Sequence, residues 1–367
     1  MLIEVPGSSS GAWQEREGRC GGSMGERPVG RSSGRPTVRD VARQAGVSSK
    51  TVSRVLNGEY GVSDATTVRV LDVITTLGFR RNDMARLLRV GQSTRTLGFV
   101  IEDVGNPFFS GIARAVERHA RERGFLVITG SSDEDPAVER DLLRSLVERR
   151  VDGLLVVPAG DDHRFLSPEI AAGTPVVFMD RPPGRIQADV VLLDNVAGAR
   201  QAVEHLVAHG HRRIAMLADN PGIFTVPERL EGYRRSLRAA GLPEDDRFVR
   251  LGIHDVRQAE AAALELLAAA EPPTAFFAGN NRAAVGVLRA IHRHPTPVAL
   301  VGFDDIELAE VFSTPLTVVS HSPTRMGEEA CRLLWRRLDG DDGPPERIVL
   351  PTELVPRGSG EIPPSPV

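Results

Sequence analysis

The stretch from Thr37 to Gly58, TVRDVARQAGVSSKTVSRVLNG, decides the organisation of the chain. Apolar residues recur in it at helical spacing, and Thr37 followed three positions later by Asp40 is a capping box, which predicts a first helix. Gly46 then allows a tight turn, and a serine at position 48 or 49 caps a second helix that ends at Asn57. Two short helices joined by a glycine turn are typical of a helix-turn-helix unit.

The second of these helices has two unlike faces. At 100° per residue, Val52, Val55 and Leu56 fall on one side and are expected to close a small core. Four polar or basic residues fall on the other side: Lys50, Ser53, Arg54 and Asn57. Long basic and short polar side chains on such a face suit the base edges in the major groove of DNA. An ordinary amphipathic helix pair with a solvated face is the alternative, and we favour DNA binding.

Charge is distributed unevenly along the chain. The 367 residues carry a formal net charge of −4. Residues 37–97 hold nine Arg and one Lys against five acidic residues, whereas the chain after residue 97 is strongly acidic. A small basic unit joined to a large acidic one is typical of a nucleic-acid-binding domain attached to another domain. Lys50 is the single lysine among 45 basic residues, and it lies in this basic unit.

The overall composition excludes several classes of protein. With 41% hydrophobic and 26% charged residues, the chain is long enough for two or three domains with their own cores. Its most apolar helical stretch, residues 261–270, is too short for a membrane span. Cys20 and Cys331 are too few for a disulfide framework, and no Cys-x-x-Cys pair suggests a zinc site. Because the N-terminus also lacks a basic stretch followed by an apolar run, we expect a reduced, cytoplasmic protein.

From Leu97 onward, strand-like and helix-like runs alternate. Strands are expected at residues 97–101, 125–129, 153–157, 175–179, 190–193, 214–218, 274–278, 298–303 and 316–320. Alternation of this kind builds parallel sheets with helices on both faces. Because about 225 residues is long for one such sheet, we predict two lobes with a cleft between them. Ligands of such folds bind beyond the carboxyl ends of the strands.

The helix-turn-helix stretch and a series of later motifs resemble the lac repressor (LacI) family. The later motifs, in order, are Asn82 with Ala85-Arg86-Leu87-Leu88, Gly98–Ile101, Asn106-Pro107-Phe108-Phe109, Asp152-Gly153-Leu154, Asp180-Arg181, His205-Leu206, Gly210–Ile214, Arg229 with Gly232-Tyr233, Val301–Asp305 and Pro315–Thr317. The resemblance covers residues 37 to 359. It implies an N-terminal all-α helix-turn-helix headpiece, a hinge helix, and an α/β two-lobed core resembling type I periplasmic binding proteins, working as a homodimer.

We therefore divide the chain into five segments. These are a disordered N-terminal extension (1–36), the DNA-binding headpiece (37–80), a hinge helix and linker (81–96), the effector-binding and dimerisation core (97–359) and a C-terminal tail (360–367). The extension is rich in Gly, Ser and Arg without any period. Residues 354–359, LVPRGS, match a thrombin recognition sequence. We interpret them as native, because Pro351–Leu354 leads into them as the last strand of the family does.

The resemblance also implies roles on DNA. Ser49, Lys50 and Arg54 match the main base-reading positions of the family. The predicted base-reading residues are Ser49, Lys50, Ser53, Arg54 and Asn57, and the predicted contacts to the DNA backbone are Thr37, Arg39, Arg80, Asn82, Arg86 and Arg89. Leu88 matches the hinge leucine that enters the minor groove, and an apolar side chain among arginines suits such a wedge. Two identical headpieces imply a near-palindromic operator.

For the core, the resemblance implies a small-molecule effector that controls operator affinity allosterically. Arg229 and Asp304 match effector-contacting positions, and Phe108 and Phe109 match the first loop of the pocket. The predicted effector-binding residues are Phe108, Phe109, Phe224, Arg229, Asn281 and Asp304. Fixed donors, acceptors and aromatic faces suit a carbohydrate or a sugar metabolite. A structural salt bridge is the alternative for Arg229 and Asp304. A purine or other metabolite is the alternative effector, because Asn281 stands where sugar-binding members often carry Asp.

Two other classes of protein fit less well. An enzyme is disfavoured because the chain has neither a Gly-x-Gly-x-x-Gly after a strand nor a Walker loop. His205, His209 and His211 suggest a metal, but histidines near a helix C-terminus interact favourably with its dipole, so we expect no metal and no cofactor. A secreted small-molecule-binding protein would fit the core but not the helix-turn-helix. We therefore predict a DNA-binding transcriptional regulator of the repressor type, without membrane association.

Overall fold

The computed structural model of the chain describes residues 36–79 and 93–365, which fall into two units that are considered separately. The first unit is a helical headpiece, and the second is an α/β core. The predicted N-terminal extension and most of the predicted hinge lie outside the described residues. The predicted DNA contacts that lie there are Arg80, Asn82, Arg86, Leu88 and Arg89.

The headpiece consists of three helices, α1 (Val38–Ala45), α2 (Ser49–Leu56) and α3 (Asp64–Leu77). The predicted capping box is confirmed: the Thr37 hydroxyl accepts from the backbone N–H of Asp40, and the Asp40 carboxylate accepts from that of Thr37. The Ser48 hydroxyl accepts from the N–H of Thr51, so Ser48 is the cap of α2. Gly46 has φ of 66°, and this left-handed conformation lets the chain turn between the two helices.

One small apolar core holds the three helices together. Val41, Ala42 and Ala45 of α1 are buried against Val52 of α2. The other buried members of the core are Val70, Val73 and Phe79. Because Val52 is fully buried, the opposite face of α2 is turned away from this core. The helix-turn-helix prediction is therefore confirmed.

The core begins with the first part of the N-terminal lobe. Its elements are β1 (Thr96–Ile101), α4 (Pro107–Glu122), β2 (Leu126–Ser131), α5 (Pro136–Glu148), β3 (Gly153–Val156), α6 (Ser167–Ala171), β4 (Val176–Met179) and β5 (Asp189–Leu193). The chain then crosses at Asp194 into the C-terminal lobe. The elements there are α7 (Asn195–Ala208), β6 (Ile214–Leu217), α8 (Thr225–Ala239), β7 (Val249–Arg250), α9 (Val256–Leu267), β8 (Ala275–Ala278), α10 (Asn281–His292), β9 (Ala299–Phe303) and β10 (Thr317–Ser320).

Two further crossings complete the lobes. After His321 and Ser322 the chain returns to the N-terminal lobe as α11 (Pro323–Leu338) and β11 (Arg347–Leu350), and it ends in the C-terminal lobe as β12 (Glu353–Val355). The N-terminal sheet has the strand order β11-β5-β4-β3-β1-β2, and all its pairs are parallel. The C-terminal sheet has the order β12-β10-β9-β8-β6-β7, in which only β12 is antiparallel.

Each sheet has a helical layer on both faces. In β8, Phe276 packs with side chains of α9 and α10, whereas Phe277 packs with those of α7 and α8, and both rings are fully buried. In the N-terminal sheet, Leu155 faces α4 and α11, and Leu154 faces α5. The predicted two-lobed α/β architecture is confirmed, and each predicted strand is present with ends displaced by at most two residues. The edge strands β7 and β11 were not predicted.

The C-terminal segment after β12 is part of the folded lobe. The Arg357 guanidinium donates to both carboxylate oxygens of Asp305, each at 2.7 Å. The Ser359 hydroxyl donates to the carbonyl of Leu300 at 2.6 Å. Glu361, which the sequence places in the tail, accepts from the Thr317 hydroxyl at 2.9 Å and pairs with a ring nitrogen of His205. LVPRGS is thus held by side-chain contacts to the C-terminal lobe.

Candidate nucleic-acid interface and ligand cleft

The exposed face of α2 carries all the side chains predicted to contact bases. Those side chains are Ser49, Lys50, Ser53, Arg54 and Asn57, and each is exposed. Thr37 and Arg39, predicted to contact the DNA backbone, are exposed at the start of α1. Sequence reasoning missed Glu59: its carboxylate accepts from the Asn57 amide at 2.7 Å and lies 3.9 Å from Nε of Arg54. Glu59 therefore orients two of the predicted base-reading side chains.

The core contains a cleft between the lobes, at the carboxyl ends of the strands. The side chains that enclose it follow β1, β2 and β4 in the N-terminal lobe and β6, β8 and β9 in the C-terminal lobe, as expected for parallel sheets. The cavity measures about 50 Å³. Its lining residues are Glu102, Asn106, Phe108, Phe109, Glu134, Asp180, Arg181, Asp219, Ile223, Thr225, Val226, Arg229, Gly279, Asn280, Arg282 and Asp304.

Arg229 is held in the wall of this cavity by contacts from three sides. Its Nε donates to Asn195 Oδ1 at 2.9 Å, and its Nη1 donates to the carbonyl of Gly279 at 2.5 Å. Nη1 also lies 3.7 Å from Asp304 Oδ2, and the guanidinium stacks 3.6 Å from the centre of the Phe303 ring. The predicted binding pair and its structural alternative therefore coincide, because the salt bridge itself lines the cavity. Burial lowers the pKa of Arg229.

Asp304 is the acidic partner in this arrangement. His321, in the second crossing, donates from Nε2 to Asp304 Oδ1 at 2.8 Å. Burial opposes ionisation of Asp304, but Arg229 and His321 together hold the pKa of its carboxyl below the ordinary value. Asp304 has φ of 69°, a conformation that few non-glycine residues adopt. Such backbone strain is concentrated at functional sites.

The aromatic residues predicted for the pocket divide into two groups. Phe108 and Phe109, at the start of α4, line the cavity with their ring centres 4.8 Å apart. Phe108 also meets the ring of His321 edge-on at 4.9 Å. Phe224 is not among the cavity-lining residues of the described chain, because it lies just before α8, and the next residue, Thr225, lines the cavity instead.

Asn281 makes a contact between the lobes rather than lining the cavity. Its Nδ2 donates to Asn106 Oδ1 at 2.8 Å, and both side chains are buried. Asn106 is also the cap of α4, where its Oδ1 accepts from the N–H of Phe108 at 3.1 Å. The amide of Asn281 therefore fixes the first pocket loop of the opposite lobe.

Sequence reasoning missed the acidic and basic side chains that the N-terminal lobe contributes. Asp180 and Arg181 follow β4. Asp180 has a left-handed backbone conformation with φ of 64°, and Asp304, which follows β9 in the other lobe, has the same conformation with φ of 69°. Arg181 donates to both carboxylate oxygens of Glu134, at 2.5 and 2.6 Å. The signal that could have found Asp180 and Arg181 is their place directly after a predicted strand, where ligands of parallel sheets bind.

Two buried side-chain atoms in the lining of the cavity have no hydrogen-bond partner among the described residues. They are the acceptor Oδ1 of Asp180, a residue only 3% exposed, and the donor Nε of Arg181. Burial raises the pKa of Asp180. Glu102, also in the wall, has its pKa raised to about 8 by burial and by the neighbouring carboxylate of Glu134. A buried polar atom without a partner is costly, so these two atoms point to a ligand that both donates and accepts hydrogen bonds.

The three clustered histidines have separate partners in the C-terminal lobe. His205 pairs with Glu361 at 2.7 Å, and His209 donates to the backbone carbonyl of His205. His211 uses one ring nitrogen on the Thr274 hydroxyl and the other on the carbonyl of Ile362. His205 and His211 therefore join α7 and the segment after it to residues 361 and 362, whereas His209 bonds to the last turn of its own helix. Within the part of the chain that the structure describes, no helix is long and apolar enough to cross a membrane.

A basic helix-turn-helix unit followed by a two-lobed core with a cleft at the carboxyl ends of its strands defines a class of protein, the ligand-responsive transcriptional regulators. Two family models match the chain. Residues 37–82 match the model for bacterial regulatory proteins of the lacI family, and residues 203–360 match the model for a periplasmic binding protein-like domain. The chain belongs to the LacI family of bacterial regulatory proteins, and it is a DNA-binding transcriptional regulator.

Curated relatives and solved structures agree with this assignment. The HTH-type transcriptional regulator CelR of Thermobifida fusca is 39% identical over 340 residues, which cover 89% of this chain and 98% of the relative. The ribose operon repressor of Escherichia coli is 35% identical and covers 88% and 99%, respectively. The structure of a CelR–cellobiose complex matches with a TM-score of 0.66, 35% identity and coverage of 89% and 100%. The lac repressor dimer bound to operator and the anti-inducer ONPF matches with a TM-score of 0.72, 26% identity and coverage of 89% and 99%.

Proposed function

We propose that this regulator is a non-enzymatic repressor that binds a near-palindromic operator as a homodimer, and that an uncharged carbohydrate in the core cleft controls its operator affinity. The observation that supports DNA reading is the arrangement of α2, in which Val52 is fully buried and Lys50 and Arg54 are exposed on the other face. Operator binding by a dimer is supported by the solved lac repressor dimer on its operator. Since bacterial operators lie in the cytoplasm, the regulator acts there.

On DNA, the side chains have three kinds of role. The proposed base readers are Ser49, Lys50, Ser53, Arg54 and Asn57, the proposed backbone contacts are Thr37, Arg39, Arg80, Asn82, Arg86 and Arg89, and the proposed minor-groove wedge is Leu88. Backbone contacts contribute to affinity for every sequence, whereas base contacts discriminate between sequences. Replacing a backbone contact should therefore lower the affinity for every sequence, whereas replacing a base contact should change which sequence is preferred.

Operator selection from random DNA tests these roles. Replacing Lys50 by Ala should change the selected bases, because a good side-chain pairing to a base is worth ~1–3 kcal/mol of discrimination. Arg69, exposed in α3 away from the reading face, provides a matched control, and Arg69→Ala should select the wild-type site. Recovery of that same site by Lys50→Ala would remove Lys50 from the base readers. Leu88→Ala should lower operator affinity and leave effector affinity unchanged.

The chemistry of the cleft supports an uncharged effector that carries hydroxyl groups. The guanidinium groups of Arg181, Arg229 and Arg282 are each bound to acceptors of the protein itself. The acceptor Oδ1 of Asp180 and the donor Nε of Arg181, which lack hydrogen-bond partners among the described residues, suit hydroxyl groups, which both donate and accept. A phosphate or carboxylate group on the ligand would meet the carboxylates in the wall, whereas these three guanidinium groups already face carboxylates of the protein. The cellobiose complex of CelR and the ribose operon repressor support a sugar.

Thermal-shift measurements on the full-length protein test this part of the proposal. Neutral sugars should raise the melting temperature, and their phosphorylated forms should not. Asp180→Asn retains the shape of the side chain and should weaken the shift, because the amide offers one acceptor where the carboxylate offers two. A purine is the alternative effector, because Asn281 stands where sugar-binding members often carry Asp. A shift with a purine base and none with sugars would favour that alternative.

A further inference from the structure

The mouth of the cleft is crossed by the side chain of Arg282. Arg282 lies in the first turn of α10 in the C-terminal lobe, and both of its terminal nitrogens bind carboxylates of the N-terminal lobe. Nη1 donates to Glu102 Oε1 at 3.0 Å, and Nη2 donates to Asp103 Oδ2 at 2.6 Å. Because the donor and the acceptors lie on different lobes, these bonds require the lobes to be together.

The exposure of the bridging residues shows where Arg282 lies in the cleft. The Asn106–Asn281 bond is deep, since both residues are less than a tenth exposed. The side chain of Glu102 is 11% exposed, that of Arg282 is 24% exposed and that of Asp103 is 36% exposed. Exposure therefore increases from the asparagine pair to Asp103, and the guanidinium of Arg282 lies between the cavity and solvent.

The size of the cavity limits what fits behind this bridge. Arg282 lines a cavity of about 50 Å³, whereas pockets for small molecules typically measure ~300–1,000 Å³. Because even one sugar ring exceeds this volume, the lobes must part to admit a ligand and must close around it less tightly than they do here. Arg282 reaches Glu102 and Asp103 again only if the bound ligand leaves the mouth clear. A second ring that projects through the mouth would occupy the position of the guanidinium and break both charge-assisted bonds.

We propose that Arg282 is a specificity-determining gate, which limits the effector to a single sugar ring by closing over it onto Glu102 and Asp103. This inference rests on the proposed carbohydrate effector. It also distinguishes the chain from CelR, whose solved complex contains the two-ring sugar cellobiose. Arg282 affects ligand affinity through the closed mouth. Replacing it should therefore change the affinity for a ligand that projects through the mouth and change little the affinity for one that ends inside the cavity.

Calorimetric titration of the full-length protein with ribose, glucose and cellobiose tests the gate, because cellobiose is two linked glucose rings. The wild type should bind a one-ring sugar, and cellobiose at least ~10-fold more weakly, since hydrogen bonds to charged groups are worth about that factor or more. Arg282→Ala should lower the ratio of the affinity for the one-ring sugar to the affinity for cellobiose about 10-fold. Asp103→Asn, a change at a partly exposed residue in the opposite lobe, should lower the same ratio. Arg289→Ala removes an exposed arginine two turns later in α10 and should leave the ratio unchanged.

Each outcome decides the question. A wild type that binds cellobiose as tightly as glucose overturns the gate and leaves the sugar effector in place. Arg282→Ala with no gain in relative affinity for cellobiose also overturns it. If none of the three sugars binds the wild type or either variant, the sugar effector itself is wrong and the gate falls with it. Because both affinities in a ratio are measured on the same protein, partial loss of stability in one variant does not produce the expected change.

Discussion

Replacing Arg229 by Ala should destabilise the core strongly, because the change leaves a buried carboxylate without its cation. Arg229 lies 3.7 Å from Asp304, and both residues are less than a tenth exposed. The variant also leaves Asn195 Oδ1 and the carbonyl of Gly279 without the guanidinium donor. Removing one partner of a buried ion pair typically costs ~3–5 kcal/mol. For a core of this size that corresponds to a fall in melting temperature of roughly 6–20 °C.

Urea unfolding of the full-length protein at neutral pH measures this loss. Arg235 provides the matched control, since it lies on the same helix, is largely exposed and pairs with Glu231 one turn away. Arg235→Ala should change the free energy of unfolding by no more than ~1 kcal/mol. In Arg229→Ala, the pKa of Asp304 should rise, because Arg229 lowers it in the wild type.

A double-mutant cycle separates the ion pair from the rest of the packing. Asp304→Asn removes the acidic charge, so Arg229→Ala should cost ~1–3 kcal/mol less in that background than in the wild type. A loss below ~1 kcal/mol for Arg229→Ala alone, or costs that simply add in the double mutant, would refute the reasoning. As a control, operator binding by Arg229→Ala at low temperature would show that its headpiece remains folded.

Three further predictions concern other parts of the core. The folded state raises the pKa of Glu102 from 4.5 to about 8. Glu102 should therefore stabilise the protein most below pH 4.5, and this contribution to the free energy of unfolding should decline as the pH rises to about 8. In urea titrations at several pH values, Glu102→Gln should remove that part of the pH dependence. The charged groups that face it are Glu134, Arg181 and Arg282. Thrombin should not cleave LVPRGS in the native protein, since Arg357 is bound to Asp305, and it should cleave the segment once urea unfolds the core. Rapid cleavage of the native protein, followed on a gel, would contradict the folded state of residues 354–359. Gly286→Ala should destabilise by ~1–3 kcal/mol in thermal unfolding, because its Cβ would lie 2.6 Å from a backbone carbonyl of α9, and this overpacking outweighs the gain of ~1 kcal/mol in helix propensity.

The fold could be predicted largely from local patterns. Caps such as Thr37 and Ser48 determine where the headpiece helices begin, and buried parallel strands such as β8 are continuous apolar runs. The edge strand β11 escaped prediction because its apolar run is only three residues long, from Ile348 to Leu350. Local sequence carries little information about such a strand, whose pairing with β5 comes from a segment far away in the chain.

The ligand cleft was only partly predictable, for a different reason. Arg229 and Asp304 could be named by resemblance, but the bridge from Arg282 to Glu102 and Asp103 joins residues that are about 180 positions apart. Nothing in either local sequence indicates the other. The misplaced Phe224 shows the converse, since an aromatic residue beside the site is not oriented by its sequence neighbours alone. The lining of a cleft between two lobes is a property of their tertiary arrangement.

The threefold crossing between the lobes has a consequence for synthesis on the ribosome. Strand β5 ends at Leu193, but its partner β11 is made roughly 150 residues later. By then the whole C-terminal sheet except β12 has been made. At typical rates of translation this delay lasts ~8–30 s, and during it an unpaired parallel edge is exposed to other chains. The headpiece, by contrast, is complete at Phe79, before any strand of the core is made. A nascent chain therefore carries a folded headpiece well before its core can close on an effector.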